Sequence, residues 1–451
     1  MTSRRRWLAL IVGLTLVRGL IYATVTPPWQ SPDENGHFEY AWLIPHLGRL
    51  PTSEDVSSDF ERELLGSLYE WRYGEFIGRP LPEQMPARMN DLPLEIFARR
   101  SRTAGGRFSL AYVWIALFIW PFRHQDLVTQ LYAARFSSVL LEMAIVWLAR
   151  RIFEELLPRQ RGLIVAMTAF VIFLPQHTFI NASVGEGPLA ELAACVVLYG
   201  WLRLFRRGVR AGDVVAVVGG TLVGVWAKKT AAFLLPFDVL ALVFLLAVRF
   251  RAAAQRRRLV YLALLGVALL IPLGGIALQV PAGQSVRGVV QRWWADPQLY
   301  LENEHVSLNQ ALKGTFNSFW AQFGWMAVNP DPGWYTLIYI LTIGAVEGWV
   351  LPRSSSWSAP SQAKKLLGIM LLLAFIVWLA FVIGTPTGMA YYMGRYLFPV
   401  TAPAAFFLVG GWARWTPVRW QRYFAPGVVI LLATLDAAAF CTAVWPFFYG
   451  R

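Results

Sequence analysis

The residues best suited to chemistry follow the first apolar stretch of the chain, where residues 27–40 read PPWQSPDENGHFEY. Asp33 and His37 are four positions apart, so they share one face if this segment is helical. A carboxylate beside an imidazole can accept a proton, or hold a phosphate and a sugar hydroxyl. The spacing predicts a catalytic site at Asp33, with Glu34 as a second acid and His37 as a substrate-binding residue.

The same segment also has a purely structural interpretation. Ser31, Pro32 and Glu34 match a helix N-cap, a first helical position and the third position of a capping box. In that case Asp33 and Glu34 only favour the positive end of the helix. The sequence leaves both interpretations open.

A second polar group interrupts the apolar sequence at residues 175–188, PQHTFINASVGEGP. Glu186 is a candidate second catalytic acid that shares a site with Asp33, or alternatively a first-turn acid ahead of Pro188. Glu191 lies inside the following apolar run, where a carboxylate is costly and is normally paired or functional.

Cationic residues occur at two further positions between apolar runs. Lys228 and Lys229 are adjacent in a turn of a few residues, and Arg395 opens a later run that Tyr392 precedes. Ammonium and guanidinium groups at a membrane edge suit an anionic ligand, so these three cationic residues are predicted to bind a phosphate or a carboxylate. Snorkelling of the lysines to lipid headgroups is the alternative.

The composition decides the class of protein that must position these residues. Of the 451 residues, 56% are hydrophobic and 15% are charged, against about 25% charged in an average soluble domain. The mean hydropathy is +0.46.

The net charge of +14 comes from short basic clusters between apolar runs, which set membrane orientation and do not indicate nucleic-acid binding. The two cysteines lie in apolar runs and predict neither a disulfide framework nor a metal site. The chain is predicted to be an all-α polytopic membrane protein.

About 11 runs are long enough to cross a bilayer. If Arg4–Arg6 lie in the cytoplasm and residues 108–122 do not cross, every later basic cluster also falls inside. That arrangement predicts a cytoplasmic N-terminus and an outward-facing site. The predicted spans are near residues 7–25, 127–149, 163–180, 188–205, 214–227, 231–248, 259–279, 334–351, 366–384, 396–413 and 424–447.

Two outer segments are too long to be simple connections in this single domain of residues 1–451. Residues 26–107 form a long first outer loop, whose mixed polar and apolar sequence predicts helices that lie at the membrane interface. Residues 281–333 form the second loop, which is rich in tryptophan. These tryptophans indicate either an ordered loop or an aromatic belt at the headgroup level. Residues 108–122 are predicted to form a re-entrant or interfacial helix.

At these motifs the chain resembles membrane glycosyltransferases of the C-type fold, the GT-C superfamily. The likeness lies in Asp33-Glu34 just after the first span, in Glu186 after the third, and in the turn of Lys228 and Lys229. The segments PDENGHF, FWAQFGW and GRYLFP are more similar still to a family of predicted bacterial membrane proteins with GT-C-like architecture. One departure is Gly-Glu-Gly around Glu186, where many relatives carry an Asp.

The resemblance implies a GT-C-like helical bundle in a bacterial cytoplasmic membrane, with its active site facing outside. It implies a polyprenyl-phosphate-linked sugar donor and a glycan, lipid or protein acceptor, with Asp33 as general base in an inverting displacement. Lys228, Lys229 and Arg395 would hold the lipid phosphate, with His37 and Tyr392 assisting. Some relatives use a divalent cation and others do not, so no metal is assigned.

Two other classes of function stay open. A transporter or flippase for a lipid-linked or anionic substrate is expected to carry its charges near the bilayer midplane, on broken helices. A structural or assembly protein would tolerate Asp33→Asn without loss of function.

Overall fold

The computed structural model describes residues 3–52, 54–93, 95–100, 108–249, 308–351, 360–384 and 393–450. Its regular elements within these ranges are helices, and one isolated antiparallel bridge joins Phe323 and Val328. In chain order the α-helices are α1 (Ser3–Val25), α2 (Glu34–Leu47), α3 (Ser58–Glu70), α4 (Tyr73–Phe76), α5 (Phe97–Arg100), α6 (Leu110–Ile119), α7 (Leu127–Leu156), α8 (Arg161–Ile172), α9 (Pro175–Asn181), α10 (Gly187–Arg207), α11 (Ala211–Ala227), α12 (Leu234–Arg249), α13 (Leu308–Trp320), α14 (Pro332–Val350), α15 (Ser361–Gly384), α16 (Thr401–Trp415), α17 (Gln421–Ala439) and α18 (Trp445–Tyr449).

Six helical segments of the described residues are long and apolar enough to cross a membrane, and α8 with α9 makes a seventh if this pair, bent by 56°, is one span. The protein is therefore an all-helical, polytopic membrane protein, as its composition predicts. The six segments are Leu127–Leu156, Gly187–Arg207, Lys229–Val248, Ser361–Leu379, Gly394–Trp415 and Val418–Tyr449.

The predicted total of 11 spans is not confirmed. The apolar helices Ala9–Val25 and Ala211–Ala227 have 17 residues each, which rise about 26 Å against a hydrocarbon core of about 30 Å. The predicted spans near 7–25, 214–227 and 334–351 are not among the six, and the predicted span at 259–279 lies outside the described residues. The apolar helix Leu110–Phe122 is too short to cross by itself, as its sequence indicates.

The buried apolar side chains form two clusters. The larger one fills the bundle of long helices, including α7, α8, α10, α16 and α17. The smaller one is formed by residues that precede α6, by α6 and by the first turns of α7. Trp29, Phe38, Phe60 and Leu68 are among its most buried members. Residues 26–100 therefore fold as short helices over one end of the bundle. The predicted outer position of this first loop stays a prediction.

A buried ion pair joins the first and the last long helices. Arg18 of α1 donates two hydrogen bonds to Asp436 of α17, at 3.0 Å and 2.6 Å, and the Tyr22 hydroxyl donates to the same carboxylate at 3.2 Å. The side chains of Arg18 and Asp436 are 8% and 12% exposed, so the pair lies inside the bundle. It fixes α1 against α17.

The tryptophans of the second loop that the structure describes pack within the protein. Trp320 is buried, the Trp325 indole N–H donates to the Trp29 carbonyl at 2.9 Å, and that of Trp334 donates to the Leu435 carbonyl at 3.1 Å. These contacts favour the ordered-loop interpretation for these three residues. The part of this predicted loop at 281–307 lies outside the described residues.

Candidate functional site

The helix that begins at Glu34 is not capped as the capping-box interpretation requires. Asp33 is the N-cap residue of α2, but its side chain accepts no capping hydrogen bond, and its φ is 63°. This left-handed conformation is uncommon for a residue other than glycine, although Asp and Asn tolerate it better than most. Such backbone strain concentrates at functional sites. The Asp33 side chain therefore does not cap α2, and this 42% exposed carboxylate is available for another task.

The partner of Asp33 is Arg395, which lies 362 positions further along the chain. Arg395 Nη2 donates to Asp33 Oδ2 at 2.5 Å, and its Nη1 donates to the Pro32 carbonyl at 3.1 Å. Gly394, which precedes Arg395, packs directly against the backbone of α13. A Cβ at this position would lie 2.1 Å from the backbone nitrogen of Phe319, so only glycine fits there. Burial by itself raises the pKa of Asp33, but the Arg395 guanidinium, with His37 and Lys228, holds it below its ordinary value.

A second hydrogen-bonded chain starts from His37 on the first turn of α2. Its Nδ1 lies 2.8 Å from the hydroxyl of Tyr112 on α6, and that hydroxyl also pairs with Glu186 at the start of α10. Burial lowers the pKa of His37, even though Glu186 and Asp33 act to raise it, so the imidazole is neutral at pH 7. A neutral imidazole in this position can relay a proton between the hydroxyl and its surroundings.

Lys228 provides the second cation of the site. It follows α11 directly, and the end of this helix is held by Ser109, whose hydroxyl donates to the Ala227 carbonyl at 2.7 Å. The Nζ of Lys228 lies 4.9 Å from the centre of the Tyr396 ring. Burial and the nearby Arg395 lower the pKa of Lys228 to about 8, although Glu186, Asp33 and Glu191 raise it. Its charge is therefore sensitive to pH in the physiological range.

These side chains form a single group, which we call the Asp33 cluster. It lies at one end of α1, α10, α11 and α16, between the two apolar cores. Two carboxylates, two cations, an imidazole and a phenol meet there from distant parts of the sequence. Its members are Asp33, His37, Tyr112, Glu186, Lys228 and Arg395.

The structure corrects the expected role of Glu34. Both of its oxygens accept hydrogen bonds from Arg135 of α7, at 2.8 Å and 2.6 Å, and Oε1 also accepts from the Val184 amide at 3.2 Å. The side chains of Glu34 and Arg135 are 0% and 1% exposed. With no exposed surface and both oxygens bonded to Arg135, the Glu34 carboxylate is not accessible to a substrate. Glu34 fixes the start of α2 beside α7, and this positions Asp33.

The remaining predicted site residues are Lys229, which is exposed, and Tyr392. Lys229 is exposed at the start of the 3₁₀ turn Lys229–Phe233, whereas its neighbour Lys228 is half-buried against the cluster. A phosphate-binding role for Lys229 stays a prediction. Tyr392 lies outside the described residues.

Sequence reasoning identified Glu191 as a residue that needs a partner, but it missed the rest of the buried polar network around it. His177 Nε2 lies 2.9 Å from Glu191 Oε1, and the Thr178 hydroxyl donates to Glu142 at 2.8 Å. Arg18 donates to the same Thr178 hydroxyl at 2.8 Å. The available signal was the presence of charged residues inside apolar runs, which are costly in lipid and therefore paired or functional. Tyr112 carried no such signal.

The residues that the structure describes contain no set of metal ligands. No group of three or more His, Cys, Asp or Glu side chains among them could hold a metal ion. Asp33 is paired with Arg395, and Lys228 lies close enough to both carboxylates of the Asp33 cluster for their charges to interact. The described residues therefore do not fit the divalent cation that the resemblance left open.

The fold and the cluster define a class: a polytopic, all-helical integral membrane protein with acids and bases gathered at one end of its bundle. Within that class, the chain belongs to the family described as "Predicted membrane protein (DUF2142)", whose model matches residues 16–403. This match includes every residue of the Asp33 cluster. No curated protein matches the chain. The family description supports the membrane location and names no reaction.

Proposed function

We propose that this protein is a membrane glycosyltransferase, which transfers a sugar from a polyprenyl-phosphate donor to an acceptor hydroxyl at the Asp33 cluster. One observation carries the proposal. The Asp33 carboxylate is half-exposed, held in a left-handed conformation and unused as a cap, and two cations from distant helices lie beside it. A base next to a phosphate-binding pair is the arrangement that this transfer requires.

The reaction follows as one inverting displacement. Asp33 removes the proton of the acceptor hydroxyl while the acceptor oxygen attacks the anomeric carbon. The bond between that carbon and the phosphate oxygen breaks, and both of its electrons leave with the polyprenyl phosphate. Arg395 and Lys228 stabilise the negative charge that develops on this phosphate. The products are a glycoside, a protonated Asp33 and polyprenyl phosphate.

The ion pair between Asp33 and Arg395 explains how donor binding would activate the base. In the free protein the guanidinium holds the pKa of Asp33 below its ordinary value, which makes the carboxylate a weak base. A donor phosphate competes with Asp33 for the same guanidinium. As Arg395 turns to the phosphate, the pKa of Asp33 rises and the carboxylate becomes a better proton acceptor. Catalysis would thus be linked to occupancy of the donor site.

The resemblance to the GT-C superfamily supports the remaining features of the proposal. The site would face the outside of a bacterial cytoplasmic membrane, with the N-terminus in the cytoplasm. The acceptor would be a glycan, a lipid or a protein, and the prenyl chain would lie in membrane lipid between helices. The placement of basic clusters in the sequence supports this orientation.

A second candidate function is transport or flipping of a lipid-linked or anionic substrate. The observation in its favour is the 56° bend between α8 and α9, next to the buried pair of His177 and Glu191. Broken helices with ionisable residues inside the bundle are typical of secondary transporters. A transporter would bind the lipid-linked sugar and move it without breaking the bond to phosphate.

The experiment that separates the two functions is a measurement of donor consumption. Purified protein in detergent is incubated with radiolabelled polyprenyl-phosphate sugars and with glycan, lipid and peptide acceptors, and release of polyprenyl phosphate is measured for each. We expect turnover of one donor, and Arg395→Gln should raise the KM for it about 10- to 100-fold, because a charge-assisted hydrogen bond to the phosphate is lost. The matched control is Arg422→Gln, since Arg422 is exposed and stacks on Tyr423. Binding of a donor without its consumption would contradict the proposed glycosyl transfer and favour transport.

The pKa of Lys228 predicts a pH dependence of donor binding. The donor phosphodiester is anionic throughout the range tested, whereas Lys228 loses its proton as the pH rises through about 8. We expect the affinity for a non-transferable donor analogue to be full below that value and to fall about 10-fold above it. Titration calorimetry between about pH 6.5 and 9.5 measures this fall. Lys228→Arg should flatten the profile, because a guanidinium stays protonated. The same decline in both proteins would assign it to another group.

A further inference from the structure

A second charged site lies at the other end of the bundle. A cavity of about 990 Å³ opens between the end of α7, the start of α8 and the end of α10. We call it the basic cavity, after its five arginines. These are Arg150, Arg151, Arg161, Arg206 and Arg207.

The charge of this cavity is not balanced by its own carboxylates. Glu154 pairs with Arg150 and Arg151 at 3.1 Å and 2.7 Å. Glu155 pairs with Arg207 at 2.6 Å and lies 3.5 Å from Arg206. Four guanidinium groups therefore share two carboxylates, and Arg161 adds a fifth positive charge to the same cavity. Three positive charges remain in excess, with N–H groups left to bind an anion.

The geometry of α10 places the basic cavity across the membrane from the Asp33 cluster. Gly187 begins this helix beside Lys228, whose Nζ would lie 3.9 Å from a Cβ at that position, and Arg206 and Arg207 end it at the cavity. The helix has 21 residues, which rise about 30 Å, the thickness of a hydrocarbon core. The cavity therefore lies at the level of the lipid headgroups on the opposite face.

The wall of the cavity suits a ligand with both a charged and an apolar part. Ile164 and Val165 line it beside the arginines, and both belong to α8, which begins there at Arg161. The positive end of this helix adds to the attraction for an anion. Side chains of Arg206 and Arg207 are 37% and 41% exposed, so a ligand can reach them.

We propose that the basic cavity binds the phosphate headgroup of an anionic phospholipid, on the membrane face opposite to the Asp33 cluster. Guanidinium groups hold phosphate oxygens in pairs of hydrogen bonds, and basic pockets between membrane helices recognise such headgroups. The apolar wall formed by α8 favours a lipid over free phosphate, because it can accommodate the start of an acyl chain. This binding is independent of the proposed glycosyl transfer.

Native mass spectrometry of the purified full chain tests the proposal with two lipids of equal chain length. We expect dioctanoyl phosphatidylglycerol to bind about 10-fold more tightly than dioctanoyl phosphatidylcholine. Arg161→Gln should remove most of this preference, and Arg161→Lys only part of it, because the charge remains while paired hydrogen bonding is lost. Arg210→Gln is the matched control, since Arg210 is exposed three residues after the end of α10 and does not line the cavity.

Three results would overturn the assignment. The first is equal affinity for the two lipids. The second is an equal loss of binding in the Arg161→Gln and Arg210→Gln variants, which would indicate general surface charge. The third is binding of inorganic phosphate as tight as that of phosphatidylglycerol, which would make the cavity a site for free phosphate. The melting temperature of each lipid-free variant shows whether a loss of binding comes from a loss of folding.

Discussion

Asp33→Asn should lower the rate of sugar transfer by about 10²- to 10⁴-fold, the usual contribution of a positioned general base. The substitution removes the carboxylate without changing the backbone, because Asn tolerates the left-handed conformation that Asp33 adopts at φ 63°. It also keeps a hydrogen-bond acceptor facing Arg395. The donor site should remain intact, so the KM for the donor should change far less than kcat.

The measurement compares single-turnover rates at saturating donor for the wild type and the variant. Asp59→Asn serves as the control, because Asp59 lies on α3 with its side chain 78% exposed and pairs only with Arg62 in the described salt bridges. Retention of more than about half of the activity by Asp33→Asn would exclude Asp33 as the base. Glu186, which shares the cluster through Tyr112, would then be the next residue to test.

Arg135→Met should destabilise the protein by about 3–5 kcal/mol, because it leaves the Glu34 carboxylate buried without its partner. Arg135 also donates to the carbonyls of Ala23, Thr26 and Pro27, at 2.8 Å, 2.6 Å and 3.0 Å. These three acceptors lie at the end of α1 and in the turn that leads to Asp33. Loss of Arg135 therefore loosens the whole connection between α1 and α2.

The free energy of unfolding can be measured by titration with a denaturing detergent in mixed micelles. The double variant Glu34→Leu/Arg135→Met should recover part of the lost stability, since it removes the unpaired charge but not the unsatisfied carbonyls. Arg62→Met is the control, because the Arg62–Asp59 pair is exposed, with side chains 71% and 78% accessible. A loss below about 1 kcal/mol in Arg135→Met would contradict a structural role for the pair.

Sequence patterns were sufficient to find the class of protein and the candidate site. The apolar runs predicted a polytopic helical protein, and the charges that interrupted them predicted that acids and bases would meet. Asp33, Glu186, Lys228 and Arg395 do lie in one cluster. They could be found because each follows or precedes an apolar helix, where an isolated charge is costly.

Neighbouring residues of the same type could not be told apart by sequence. Asp33 and Glu34 are adjacent acids, yet one is half-exposed beside Arg395 and the other is buried against Arg135. Lys228 is half-buried in the cluster and Lys229 is exposed. Each pair lies across the start of a helix, where the backbone changes conformation from one residue to the next, so the partner of each side chain depends on packing against distant helices. No pattern along the chain contains that information.

The number of spans could not be predicted for a different physical reason. Hydropathy detects an apolar run but not where its helix ends. The run at 163–180 contains a bend of 56° between α8 and α9, and the run at 214–227 ends in a helix of only 17 residues. Pro175, at the first position of α9, begins a new helix inside an apolar sequence.

The pairing of Arg18 with Asp436 has a consequence for how the chain is made in the cell. Arg18 leaves the ribosome more than four hundred residues before its partner, and an arginine inside a helix costs about 2.5 kcal/mol or more to insert in lipid. Until α17 arrives, Arg18 lacks its carboxylate partner, and its hydrogen-bond acceptors are the Ile172 carbonyl and the Thr178 hydroxyl of the earlier helices. The pair thus makes stable integration of the first helix depend on completion of the last long one.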